Sequence, residues 1–230
     1  MRKVLTLVVV LAMVSLSWAA TEREKVQHRL QSAGEVLQEI MEAPDKGIPE
    51  EVIKGAKCIA VIPHEIRGGF VVGGRHGKGV ATCRTPNAGW SAPSFFTITG
   101  GSWGAQIGLE GVDNVLMIMN QRGMDRLLSD KFQIGAQASA AAGPVGRHAE
   151  AGTDWKLNTE ILSYSRSKGV FAGATLDGAV VRPDTEAMLA VYGDGVTARE
   201  VLNGKVPPPA IAGYFLAAVR SAEEQAKARS

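Results

Sequence analysis

Ser102 has the sequence setting that most resembles a catalytic one. Residues 100–104 read G-G-S-W-G, which satisfies the G-x-S-x-G pattern of the nucleophile elbow in serine hydrolases. In the usual chain order, the triad would be completed by Asp125 or Asp130 and then by His148. An elbow needs a helix directly after the serine, whereas residues 105–109 have the composition of a strand. The sequence therefore favours a protein that is not an enzyme, with a serine hydrolase as an alternative.

A second glycine-rich run, G-G-R-H-G-K-G at residues 73–79, has the composition of a phosphate-binding loop. A Walker loop would need glycine at Val72 and Ser or Thr at Gly79, so the spacing does not fit. We predict instead a flexible hairpin between strands near Phe70 and Val80. Its backbone amides and basic side chains could still meet a lipid phosphate.

The charge distribution around this run is uneven. No acidic residue occurs between Glu65 and Glu110. Four basic residues fall inside that interval: Arg67, Arg75, Lys78 and Arg84. We predict that these four bind anionic phospholipid headgroups, since each basic side chain near an anionic surface contributes on the order of 1 kcal/mol.

The first 20 residues have the order of a secretory signal peptide. Arg2 and Lys3 precede an apolar run from Val4 to Leu16, which is followed by the small-residue stretch S-W-A-A. We expect cleavage there, export, and a periplasmic protein peripheral to a membrane. The formal charge of +2 comes from Arg2 and Lys3, so the remaining chain is neutral and nucleic-acid binding is not expected.

The two cysteines, Cys58 and Cys83, each lie in a strand-like run. In an exported protein they could form a cross-strand disulfide, or they could be two small buried thiols. Two cysteines and four scattered histidines show no metal-ligand spacing, so we predict neither a metal nor a cofactor.

Helices are predicted at both ends of the chain. Apolar residues recur at helical spacing over residues 22–42, and a short helix follows up to residue 55. Leu30, Leu37 and Ile40 on the first helix could insert into a membrane, or they could cover the core of their own domain. Further helices are predicted over 184–228, where residues 193–198 contain a loose dinucleotide fingerprint that we interpret as the end of one helix and the start of another.

The segment between these helical regions is predicted to be β-rich. Over residues 57–182, short apolar or alternating runs are separated by glycine, proline and asparagine. The predicted class is α+β, a bent antiparallel sheet or partly closed β-barrel flanked by N- and C-terminal helices. No linker interrupts it, so residues 21–230 are expected to form a single domain.

Several ordered motifs together resemble the SYLF-domain family in its exported bacterial form. They are K-C-I-A-V-I-P at 57–63, G-G-F-V-V-G-G-R-H-G-K-G-V at 68–80, W-S-A-P-S-F-F at 90–96, G-G-S-W-G-A-Q-I-G at 100–108, the run from 113 to 146, and E-I-L-S-Y-S-R-S-K-G-V-F-A-G at 160–173. The resemblance implies binding of phospholipid without catalysis, with phosphoinositides as ligands of eukaryotic members and actin binding in some fungal members. No SH3 or FYVE module accompanies the motifs in this sequence, so actin and endocytic roles are not carried over, and protein partners are unknown. Besides the serine hydrolase, a structural or partner-binding protein of the envelope is an alternative to lipid binding.

Overall fold

The computed structural model describes residues 2–43, 47–86, 89–145, 159–167, 170–173 and 176–228. Within these ranges it describes only the backbone at residues 2–20, 69–72, 102–109, 167, 170–171 and 173. Its helices are α1 (Arg2–Glu42), α2 (Glu50–Gly55), α3 (Gln121–Leu127), α4 (Thr185–Tyr192), α5 (Ala198–Leu202) and α6 (Gly213–Ala228), with a 3₁₀ turn at Ala210–Ala212. Its strands are β1 (Cys58–Cys83), β2 (Ser94–Ile118), β3 (Phe132–Gln133), β4 (Ala140–Ala142), β5 (Ile161–Ser167), β6 (Val170–Gly173) and β7 (Val180–Pro183).

The two long strands β1 and β2 form an antiparallel ribbon that folds back on itself. Their register runs from Cys58 opposite Ile118 to Ala81 opposite Ser94, with shifts between Ile62 and Glu65 and between Gly69 and Val71. A flat strand of this length would span about 85 Å. Yet the Cα atoms of Cys58 and Cys83, its two ends, are 3.9 Å apart and a disulfide joins the side chains. The ribbon is therefore strongly curled.

Glycines permit the close approach that this curling requires. A Cβ atom on Gly77 would lie 2.7 Å from Cγ2 of Ile62, an earlier residue of the same strand. On Gly79 it would lie 2.3 Å from Cζ of Phe96, the residue directly opposite on β2. Neither distance is compatible with a side chain, so Gly77 and Gly79 are required by close packing.

The shorter strands extend the ribbon on both sides. β7 pairs with the start of β2 and β5 pairs with its end, both antiparallel, while β4 runs parallel to β5. The predicted α+β class and partly closed sheet are confirmed. The sheet is mixed rather than wholly antiparallel because of the β4–β5 pair.

Both faces of the curled sheet are buried. In β1, Ile59 and Val61 face a core formed with α1, α2, α4 and α6, whereas Ala60 and Ile62 face a second core beside α3 and β3. This alternation is the two-residue period of a strand with a core on each face. Helices α1, α2, α4 and α6 therefore cover one side of the sheet, and α3 with the short strand β3 covers the other.

The expected membrane-facing residues of the first helix are corrected by this packing. Leu30, Leu37 and Ile40 have no solvent exposure, and all three belong to the helix-facing core. They stabilise the domain by apolar burial and are not a surface for lipid. In the part of the chain that the structure describes, no helix is both long and apolar enough to cross a membrane.

Three local predictions have different outcomes. Residues 73–79 are not a hairpin turn but lie inside β1, where they pair with residues 96–102 of β2. The expected helix boundary over 193–198 is confirmed: Gly193 ends α4 with φ of 82°, and Thr197 caps α5 in a reciprocal hydrogen-bond pair with Glu200. The first helix ends at Glu42 as predicted, and it continues toward the N-terminus as far as Arg2, through the stretch assigned to a signal peptide.

Candidate functional site

An open groove of about 570 Å³ lies between helix α1 and strand β1. The helix contributes Glu22, Lys25, His28, Arg29 and Ser32, and the strand contributes Pro63, His64, Ile66, His76, Gly77 and Lys78. Ile66 is 54% exposed, one of the few large apolar side chains with such exposure among the described residues. The groove thus combines basic and titratable side chains with an apolar residue at the surface.

Regular backbone geometry places most of these side chains. Lys25 and His28 are three residues apart on α1 and so share one exposed face of the helix. His76 and Lys78 are two residues apart on β1 and so lie on one face of the strand. The helix face and the strand face meet across the groove.

His64 has a different origin, because it lies in the irregular part of β1 between Ile62 and Glu65. Its φ is 53°, the one positive value at a non-glycine residue in the described chain, and its N–H donates to Oδ1 of Asp113 at 2.9 Å. Backbone irregularities of this kind redirect a side chain relative to the alternation of the strand. The imidazole of His64 is consequently exposed at the groove instead of following the buried side chains of its strand.

Carboxylates offset the permanent positive charges of the groove. Glu22 accepts from Lys25 at 3.1 Å, and its second oxygen lies 3.7 Å from Nζ of Lys78. Asp184 lies 3.3 Å from the same Nζ and 3.0 Å from Nη1 of Arg29. Burial alone would raise the pKa of Asp184, but the Arg29 guanidinium, the Ala187 N–H and Lys78 lower it below its ordinary value.

Two of the four predicted headgroup residues lie in a more enclosed polar cluster around Glu65, which has no solvent exposure. Arg67 donates to Glu65 at 3.0 Å and to Asn114 at 3.2 Å. The Nε of Arg75 is 3.7 Å from the same carboxylate, and its side chain is only 9% exposed. Burial lowers the pKa of Arg75, and Glu65 opposes that effect. The positive charges of these two arginines balance the buried negative charge of Glu65.

Arg84 anchors a different part of the molecule. Its guanidinium donates to Oε1 of Glu223 on α6 at 2.9 Å and to the carbonyls of Ala56 and Ile53. It also stacks over the ring of Trp90, with 4.5 Å from Cζ to the ring centroid. Of the four residues predicted from sequence, only Lys78 contributes to the groove, and Arg67, Arg75 and Arg84 are tied to carboxylates elsewhere.

The sequence interpretation missed the histidines of the groove. His28, His64 and His76 are separated by 36 and 12 positions along the chain, and the first lies on a helix while the others lie on a strand. The two-residue spacing of His76 and Lys78 was the one local signal available. The position of His64 depends on a register shift that no composition pattern reveals.

The hydrolase alternative lacks its expected geometry. Ser102 lies inside β2, opposite Gly73, with seven further strand residues before Glu110, so no helix follows it. Asp125 lies on α3 and Asp130 follows that helix, and both are exposed. His148 lies outside the described residues. The described side chains also contain no group of three or more His, Cys, Asp or Glu able to hold a metal ion.

Comparison with known proteins identifies the family. The family described as "Ysc84: Las17-binding protein actin regulator" matches residues 99–222. Among curated relatives, LAS seventeen-binding protein 3 of Saccharomyces cerevisiae is 36% identical over 176 residues, or 74% of this chain and 38% of the relative. Protein YSC84 of the same yeast is 35% identical over 181 residues, 77% of this chain and 38% of the relative.

Animal relatives match a similar part of the chain. SH3 domain-containing YSC84-like protein 1 of Homo sapiens is 33% identical over 184 residues, 77% of this chain and 54% of the relative. The matched region thus spans between about two fifths and one half of the length of these relatives. The yeast relative LAS seventeen-binding protein 3 is named for binding, and the family is described as an actin regulator. On this evidence the chain belongs to the Ysc84 family, the family of the SYLF domain.

Proposed function

We propose that this protein binds anionic phospholipid headgroups at a membrane surface and catalyses no reaction. The observation that carries the proposal is the groove between α1 and β1, which brings Lys25, Lys78 and three histidines together beside the exposed Ile66. Cationic donors can pair with the phosphodiester of a lipid, while an exposed apolar side chain can enter the interface beside it. The proposed site differs from the cluster expected from sequence, since it retains only Lys78 of that cluster.

The setting we propose is the bacterial envelope, after export. Two features support it: the signal-peptide pattern of the first 20 residues and the disulfide between Cys58 and Cys83. Disulfides persist in oxidising compartments such as the periplasm and are rare in the cytosol. Expression of the full chain in a bacterial host, followed by fractionation and mass determination of the N-terminus, tests both parts of this proposal.

Vesicle co-sedimentation tests the lipid function. We expect the protein to sediment with vesicles containing phosphatidylglycerol and not with pure phosphatidylcholine vesicles. Replacement of Lys25 and Lys78 by Gln should reduce binding by about tenfold at low salt, since two positive charges are lost. The matched control is the double substitution Lys57→Gln and Lys131→Gln, which removes two exposed positive charges outside the groove.

Three results would contradict the proposal. Absence of sedimentation with anionic vesicles would contradict the lipid function itself. Equal loss in the groove variant and in the control variant would show attraction by overall charge without a headgroup site. Retained binding by the groove variant would place any lipid site elsewhere on the protein.

A second candidate function is binding of a protein partner. The relatives named for binding to Las17 suggest it, and a second groove of about 730 Å³ beside α4 and α5 has the apolar Leu189 58% exposed at its edge. Leu189→Asp should then abolish recovery of a partner after cross-linking in cells. It should leave vesicle binding unchanged, so the two functions can be separated.

A further inference from the structure

Three of the four histidines of this chain line the same groove. His28 comes from α1, whereas His64 and His76 come from β1, and all three are exposed. An exposed imidazole on a regular element needs no special explanation. Here three imidazoles, supplied by two different elements, line one groove. This groove therefore carries most of the histidine residues of the protein.

The backbone at His64 supports a role for its side chain. A non-glycine residue with positive φ is unfavourable by about 1 kcal/mol or more, and such residues concentrate at functional sites. Here the conformation is held by the hydrogen bond from His64 N–H to Asp113. This conformation places the imidazole of His64 at the groove. The regular alternation of side chains along β1 would not place it there.

The groups that face these histidines from every neighbouring element leave little net charge. They are Glu22, Lys25 and Arg29 on α1, Lys78 on β1, and Asp184 at the start of α4. Behind the groove, Asp113 of β2 is paired with Arg166, and Glu65 is paired with Arg67 and lies near Arg75. Three cations against two carboxylates leave one positive charge in the groove, and three protonated imidazoles would raise it to four.

We infer that His28, His64 and His76 bind anionic phospholipid headgroups at this groove in their protonated form, so that the groove holds anionic lipid more tightly as the pH falls. This inference rests on the proposed function and adds to it the identity of the ligands and their dependence on protons. Histidine is the side chain whose charge ordinarily changes between about pH 5 and 8, and protonation turns both ring nitrogens into donors. A phosphodiester keeps its negative charge over this range, so the change in binding originates in the protein.

A metal site made by the same imidazoles is not supported. In the part of the chain covered by the structure, no three or more His, Cys, Asp or Glu side chains are placed to hold one metal ion. The basic neighbours Lys25 and Lys78 would also repel a cation and attract an anion. The chemistry of the groove therefore favours an anionic ligand.

The test measures binding to phosphatidylglycerol vesicles at about pH 8 and about pH 5.5, at constant ionic strength. We expect affinity to rise by about tenfold or more on acidification, from up to three added charges. A triple variant with His28→Gln, His64→Asn and His76→Gln should lose the increase on acidification, so that its affinity at the lower pH is no higher than its affinity at the higher pH. Asn is chosen at position 64 because it tolerates positive φ.

A gain-of-function variant keeps the inference testable if the triple variant folds poorly. His28→Lys combined with His76→Lys places permanent charges at two exposed positions. It should bind at the higher pH nearly as tightly as the wild type binds at the lower one. Weak binding by this variant at both pH values would contradict a role for positive charge at these positions.

The remaining outcomes separate the inference from the function on which it rests. Binding that does not change with pH, or a pH dependence retained by the triple variant, would overturn the inference and leave the lipid function standing. No binding at either pH would overturn both. Release of bound protein by soluble glycerol phosphate, without any preference for vesicles, would identify a free phosphate ester and not a lipid as the ligand.

Discussion

Asp184 is a single residue that joins three elements around the groove. Its carboxylate caps α4 by accepting from the N–H of Ala187 and pairs with Arg29 of α1 and Lys78 of β1. The side chains of Asp184 and Arg29 are 4% and 7% exposed. Breaking a buried ion pair leaves the other charge without compensation, which costs more than losing a surface pair. Asp184 thus holds Lys78 and the helix in the positions that define the groove.

We predict that Asp184→Asn lowers the free energy of unfolding by about 3 kcal/mol. Asn can still cap the helix, so the loss reports mainly on the charge beside Arg29 and Lys78. Urea unfolding followed by circular dichroism measures the effect. The control is Asp130→Asn, which removes an exposed charge and should change stability by less than about 0.5 kcal/mol. Similar values for the two variants would contradict the structural role of the ion pair.

Among the elements, the C-terminal helix α6 is docked by polar contacts at one end of its buried face. Glu223 accepts from Nη1 of Arg84 at 2.9 Å and from Nε1 of Trp90 at 3.0 Å. Partial burial would by itself raise the pKa of Glu223, but the hydrogen bonds from Arg84 and Trp90 and the charge of Arg84 lower it to about 2. The helix is thereby attached to Arg84 and Trp90, which follow β1. Phe215 and Val219 of the same helix add apolar contacts in the core.

Acid should weaken this attachment. The pKa of Glu223 is lower in the folded protein than its ordinary value of 4.5, so its stabilisation is complete above that value and is lost as the pH falls toward about 2. We therefore expect Glu223→Gln to be less stable than the wild type near neutral pH, with a difference that shrinks from pH 4.5 downward. Urea unfolding at a series of pH values measures it. A difference that stays constant across this range would rule out the ionised carboxylate as its origin.

The elements also show which features a sequence can predict. The end of α1 at Glu42 and the boundary between α4 and α5 were predicted because helix ends depend on residues that are adjacent in the chain. The joining of several short runs into β1 and β2 was not predicted, since glycine was read as a turn signal. At Gly77 and Gly79 it instead makes room for Ile62 and Phe96.

The candidate site was predicted only in part for a similar reason. The absence of acidic residues between Glu65 and Glu110 indicated free positive charge, but carboxylates from distant positions reach into that region. Asp184 pairs with Lys78, and Glu223 pairs with Arg84, across 106 and 139 positions of the chain. Local charge counts cannot detect partners at such separations. The groove likewise depends on how α1 packs against β1, which is a tertiary contact.

At the scale of the whole molecule, the fold depends on closing the ends of the long ribbon. Besides the disulfide, the N–H of Arg84 donates to the carbonyl of Lys57 at 2.8 Å, and the Arg84 side chain binds the carbonyls of Ala56 and Ile53. Closure fixes the start and the end of β1 side by side. Both cores depend on it, since residues near each end of the strand face each core.

Reduction of the disulfide should therefore lower stability without unfolding the protein. The bond closes a loop with a sequence separation of 25, for which chain entropy predicts about 3 to 4 kcal/mol of stabilisation. The hydrogen bonds of Arg84 and both cores remain in the reduced protein, so the native fold should persist with a lower urea midpoint. The double variant Cys58→Ser and Cys83→Ser should match the reduced protein and be insensitive to reductant. Equal midpoints for the oxidised and reduced wild type would mean that the ribbon is closed by its non-covalent contacts alone.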